Sequence, residues 1–231
     1  AELYYAKNRV FALMPVIILV VSFIFWFIVG FVYKKSFLHK RFNQNDRTPK
    51  DKFIVTVVNL LYLLYPTLCK NVFGIFDCKL IGGKSYLRAD LEEECYYGNH
   101  LDAVYKLGII QGCAYVVGLP LIVYIFLNRN SEHLQSPVTR ARYGLFYRGY
   151  KTSRFYWETI ITVRKVLIVA LSVFGPELGP TKQALAAILL LLACIVTEIY
   201  GDPYVNNDLG LFEISGLLVA FLSMWCGLFI W

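Results

Sequence analysis

Charge is what this chain has least of. Asp, Glu, Lys and Arg together make up 17% of its residues, where a soluble domain carries about a quarter. Histidine occurs three times and methionine twice in 231 residues. The three histidines, His39, His100 and His133, fall in connectors between apolar blocks. No His-Glu-x-x-His, Gly-x-Ser-x-Gly, Gly-x-x-x-x-Gly-Lys or Cys-x-x-Cys occurs, which removes the common signatures of zinc hydrolysis, serine acyl transfer, phosphate-loop chemistry and dithiol redox exchange. The chain is therefore read as no enzyme, with no cofactor, no bound metal and no nucleic-acid partner. A basic leader segment with a cleavage site is also missing ahead of the first apolar block. The chain opens on Ala1 and ends at Trp231 inside an apolar run, so the sequence predicts a piece of a larger protein, with a further helix after Trp231.

What is present is apolar surface: 58% hydrophobic residues, 16% aromatic, mean hydropathy +0.54. It comes in blocks long enough to cross a bilayer, which takes about 20 residues as helix. The prediction is an all-α membrane protein, a single domain over residues 1–231 built as a polytopic bundle of about six transmembrane helices. The spans are placed at residues 11–33, 53–76, 103–127, 156–174 and 182–200, with a sixth from residue 209 to the end.

Basic residues fix the orientation. The connector 34–52 holds seven Lys or Arg against two Asp, and the connector 128–155 holds Arg129, Arg140, Arg142, Arg148, Lys151 and Arg154 against Glu132. By the positive-inside rule both are cytoplasmic, and the N-terminal side is exoplasmic. Residues 77–102 then form an exoplasmic segment bracketed by Cys78 and Cys95, which predicts a disulfide if that side is oxidising. Two thiols buried apart are the alternative. Cys69, Cys113, Cys194 and Cys226 lie in spans as small apolar residues.

The costly residues are the charges in the later spans. Glu158, Arg164, Lys165, Glu198 and Glu213 all fall in the cytoplasmic half of the predicted bilayer. A charge at the bilayer centre costs about 2.5 to 3.5 kcal/mol, so pairing across helices is expected. Their role is a gate or ion path, a static set of salt bridges joining the fourth span to the fifth and sixth, or part of a site for anionic lipid headgroups. Arg140, Arg142, Arg148, Lys151 and Arg154 are the headgroup candidates. The aromatic residues from Tyr143 to Trp157 predict a segment lying along the headgroups. Small residues mark two helix-packing faces: Gly108 with Gly112, and the stripe Gly216, Ala220, Ser223 and Gly227. Membrane lipids, other subunits or an extracellular assembly are the expected partners.

The series Arg142-Tyr143-Gly144-x-Phe146-Tyr147-x-Gly149-Tyr150, Tyr156-Trp157-Glu158 and Arg164-Lys165 carries a family resemblance. It is joined by Leu64-Tyr65-Pro66, Phe76-x-Cys78, Tyr86-Leu87-x-x-Asp90 with Cys95, Asp202-Pro203-Tyr204, Asn207-Asp208-Leu209 and Phe212-Glu213. Together these resemble the transmembrane module at the C-terminal end of very large surface proteins of protists and algae. That module is similar in turn to the TRP-like domain of polycystin-related and fungal flavin-carrier proteins. The resemblance implies a channel-family domain coupling a large ectodomain to a plasma or ciliary membrane, with cation conduction as the implied activity. The connection from Gly201 to Asp208 departs from the pattern, because it is too short for a re-entrant pore loop. A non-conducting anchor for an extracellular filament or a multisubunit assembly is the alternative. An accessory subunit of an energy-transducing membrane complex is a third reading.

Overall fold

The structure is a computed structural model that describes residues 2–35, 49–131, 134 and 136–230. Six helical segments in it are long and apolar enough to span a bilayer: Leu3–Phe31, Lys50–Gly74, Gly98–Arg129, Thr152–Leu178, Pro180–Gly201 and Asn207–Leu228. They fit an integral membrane protein, and the expected all-α class holds. Large apolar side chains such as Phe23, Phe27, Val117, Leu189 and Val219 point outward, as lipid-facing positions do. Most of connector 34–52, including His39 and the basic residues Lys40, Arg41 and Arg47, lies outside the described residues, as do Glu132 and His133.

Helix α1 (Glu2–Lys35) starts well before the predicted residue 11. Its first turns dock on the far end of the bundle, where the Tyr5 hydroxyl donates to Glu93 and Asn8 is buried. Helix α2 (Pro49–Gly74) runs through Pro66 without ending. The third span opens with α3 (Gly98–Ala103), continues as two π-helical stretches, Val104–Ile109 and Gly112–Gly118, and finishes as α4 (Leu119–Arg129). Hydropathy is blind to the wider π turns. Two contacts accompany them: Gly108 packs against Phe76 and Ile75, and the Tyr65 hydroxyl donates to the Val116 carbonyl at 2.9 Å. After a short helix α5 (Pro137–Tyr143) come α6 (Trp157–Phe174), α7 (Pro180–Gly201) and α8 (Asn207–Ile230).

Helix α2 is the hub, touching α1, the third span and α6, while α7 and α8 pack as a hairpin that joins the rest through α6 and the segment before it. Leu191, Ile195 and Leu217 form the buried seam of that hairpin.

The segment 77–102 folds on itself as a small sheet. Strands β1 (Cys78–Ile81), β2 (Lys84–Leu87) and β3 (Asp90–Glu94) make an antiparallel meander. Cys78 pairs with Leu87 and Ile81 with Lys84, with a bulge between Tyr86 and Leu87. The two-residue turn needs positive φ twice, which Gly82 (59°) and Gly83 (85°) supply. Cys78 and Cys95 are joined in a disulfide that closes the meander, as expected.

Ion pairs identify which connectors share an end. Arg88 binds both Asp77 and Glu177, so the α6–α7 turn lies at the sheet end together with the start of α1. Arg142 pairs with Asp51, and Lys151 with Asp202, so the start of α2, α5 and the α7–α8 turn share the opposite, basic end. This is the alternation that six crossings require.

Candidate functional site: a buried charge network at the basic end

The aromatic segment before α6 packs on the neighbouring helices. Tyr143 packs on Phe126 with ring centres 4.4 Å apart, Phe146 meets Tyr62 edge-on, and the Tyr147 hydroxyl donates to the Leu134 carbonyl at 2.9 Å. A small antiparallel bridge then ties the segment to the α7–α8 turn. Lys151 donates its amide to the Pro203 carbonyl at 2.7 Å, Val205 donates to Gly149 at 2.9 Å, and Tyr150 lies opposite Tyr204. Pro203 is fully buried there, and Asp202 ends α7 in a left-handed conformation (φ 37°).

All five predicted intramembrane charges converge. Arg164 forms an ion pair with Glu213 of α8 and lies 3.6 Å from Glu198 of α7. Glu198 also accepts from the Trp157 indole at 3.1 Å. On the neighbouring face of α6, Lys165 lies 3.6 Å from Glu158 and donates to the Tyr62 hydroxyl. Glu158 accepts from Tyr62 at 2.5 Å and from Tyr150 at 2.7 Å. Lys165 also stands 3.9 Å from the centre of the Tyr62 ring. Two linked clusters result, one binding α6 to α7 and α8, the other binding α6 to α2 and to the segment before it. The Glu198 side chain is 4% exposed and that of Glu158 is 7%, so these carboxylates depend on their donors.

Tyr62, Tyr150 and Trp157 complete the network and were invisible as members of it in the sequence, because their spacing says only that they are aromatic. A Tyr or Trp beside an intramembrane acid was the available signal, since each carries a donor on an apolar body. Outside the spans, burial together with the Glu158 charge pushes the Tyr150 phenol up from its ordinary value, and burial with the charges of Glu198 and Glu213 does the same to Tyr204.

The headgroup candidates divide. Arg142 is taken by Asp51 and Lys151 by Asp202, and Arg154 donates to the Tyr156 hydroxyl at 3.1 Å. Arg140 and Arg148 are exposed and line one cavity with Arg142. The packing candidates divide as well. Gly108 and Gly112 meet Ile75, Phe76 and Val72 of this same chain rather than facing outward to a partner subunit. On α8, Ala220 packs into the hairpin seam, while a Cβ added at Gly216 or Gly227 would meet no other element within 4 Å among the described residues, and Ser223 is exposed.

His100 is not the solvated loop residue expected. It is fully buried at the start of the third span, where Nδ1 accepts from the Tyr96 amide at 2.9 Å and Nε2 faces the Ile75 carbonyl at 3.0 Å. It thereby fastens the sheet end to α2. Ligand atoms of Cys78, Cys95 and His100 lie within 4.8 Å of one another. That is a spacing a metal ion accepts, but the two sulfurs are bonded to each other.

Comparison with known proteins is sparse. No family model matches the chain, and no solved structure matches it. Over 194 residues it is 27% identical to "Cysteine repeat modular protein A" of Toxoplasma gondii, an alignment that takes in 74% of this chain and 6% of that protein. The chain is thus similar to one small part of a far longer protein.

Proposed function

We propose that this chain is the membrane-spanning part of a larger surface protein, anchoring and coupling an exoplasmic portion to the bilayer without a conduction path of its own. The observation that carries this reading is the closure of the charge network. Arg164 is held between Glu198 and Glu213, and Lys165 is held by Glu158 and Tyr62. Charges spent on one another act as cross-links between helices, whereas an ion path needs polar groups facing a continuous aqueous file. The cavity beside Glu158 is instead walled by residues such as Val58, Leu61, Leu119 and Val123.

The similarity to a protein of which this length is 6% supports a larger whole. The disulfide supports an exoplasmic sheet end, since such bonds persist in oxidising compartments. The exposed Arg140 and Arg148 support a cytoplasmic basic end, in agreement with the loop counts. A plasma or ciliary membrane is the setting that this reading implies.

The TRP-like channel is the second reading, favoured by one feature: no described residue covers the face of α8 around Gly216 and Ser223, as an inner helix of an oligomeric pore would require. The deciding experiment is reconstitution in planar bilayers, paired with an amine reagent that cannot cross membranes applied to intact cells. The anchor predicts no current and labelling of exposed Lys84 at the sheet end. A cation current altered by Glu213→Gln would overturn it in favour of the channel.

A further inference from the structure

At the basic end, one short stretch of chain has two differently furnished sides. Gly144, Leu145 and Arg148, with Arg140 and Arg142, wall a cavity of about 370 Å³ that α2 closes with Val55 and Asn59. Tyr143 and Phe146 of the same stretch wall a second cavity, of about 300 Å³, closed by Val58, Leu61, Tyr62 and Tyr65 of α2 and by residues of α4 and α6. On α2 the two sets are one turn apart, about 5 Å. The first cavity is basic. Arg142 is neutralised by Asp51, while Arg140 and Arg148 have no acidic partner among the described residues. The second is walled mostly by apolar side chains, with Tyr62, Glu158, Thr159 and Thr162 among them.

We propose that these two cavities are a single binding site for an anionic phospholipid, with the phosphate between Arg140 and Arg148 and an acyl chain in the crevice beside Thr159. Each part of the ligand answers a separate feature. The phosphate supplies an anionic acceptor for two guanidiniums that have no acidic partner among the described residues. The chain fills apolar volume that water would not wet. The site follows from the basic end alone and stands whether or not the bundle conducts.

The test is native mass spectrometry of the protein in detergent, titrated with dioleoyl phosphatidic acid and with dioleoyl phosphatidylcholine, which share their acyl chains. The anionic lipid is expected to bind about thirtyfold more tightly, from two arginines acting on one charge. R140Q/R148Q should abolish that preference, weakening the choline lipid less because its quaternary ammonium offsets the phosphate charge, and R140K/R148K should restore most of it, which separates charge from folding. Equal affinity for the two lipids, or a preference that survives R140Q/R148Q, overturns the proposal. Displacement of the lipid by equimolar inorganic phosphate or glycerol 3-phosphate also overturns it, assigning the basic cavity to a soluble phosphate instead.

Discussion

Gly201 lies directly beneath the indole of Trp157, so that a Cβ on Gly201 would occupy the space of the ring. The last turn of α7 therefore touches the first turn of α6 through the one residue type that permits it, and the Trp157 nitrogen is thereby aimed at Glu198. Gly201→Ala should destabilise the protein by about 1 to 3 kcal/mol, because the ring has to move in a packed setting. Thermal unfolding in detergent measures this. A variant as stable as the parent would mean that Trp157 is free to shift, and with it the geometry at Glu198.

Removing Arg164 leaves two acids facing each other across α7 and α8. Arg164→Met should cost about 3 to 5 kcal/mol, the usual penalty for stranding a buried ionic partner. Adding Glu198→Gln and Glu213→Gln should recover most of that loss. Additive losses in the triple variant would refute an ion-pair network and leave a packing role for Arg164.

The bond between Cys78 and Cys95 closes a loop of sequence separation 17. Cys78→Ser should lower stability by about 3 kcal/mol in the chain-entropy estimate. Alkylation in denaturant, with and without reductant and read by mass, should leave these two positions unmodified until reduction while the free thiols of Cys69, Cys113, Cys194 and Cys226 react in both conditions. Free thiols at both positions in the unreduced protein would contradict the pairing.

Tyr150 gives a pH dependence with a definite sign. Burial and the neighbouring Glu158 hold its phenol above the ordinary value of 10.0. An acid whose folded-state value is raised favours the fold while it stays protonated in both states. That contribution is complete below pH 10 and falls away as the unfolded chain begins to lose its proton. Stability should therefore drop as pH rises above about 10, and less steeply in Tyr150→Phe. Parallel slopes for the two proteins would assign the alkaline loss to other groups.

Much of this was legible in the residues. Long apolar blocks set six crossings, since backbone polar groups in lipid must be satisfied within each helix. The expense of intramembrane charge marked Glu158, Arg164, Lys165, Glu198 and Glu213 as partners before any geometry was known, and two cysteines bracketing one segment marked the disulfide. His100 could not be read this way, because a histidine in a connector looks the same whether water or the Ile75 carbonyl receives it.

Sequence by itself thus determined the class of the molecule, the number of its crossings and which charges had to be answered. Those follow from the transfer cost of each group, a property every residue carries alone. Tertiary structure decided who answers them: Tyr62 from α2, Trp157 at the head of α6 and Tyr150 from the preceding segment. It also decided that Gly108 packs on Phe76 within the chain while Gly216 packs on nothing described. Such choices depend on distance and direction between elements far apart along the chain, which no local pattern encodes.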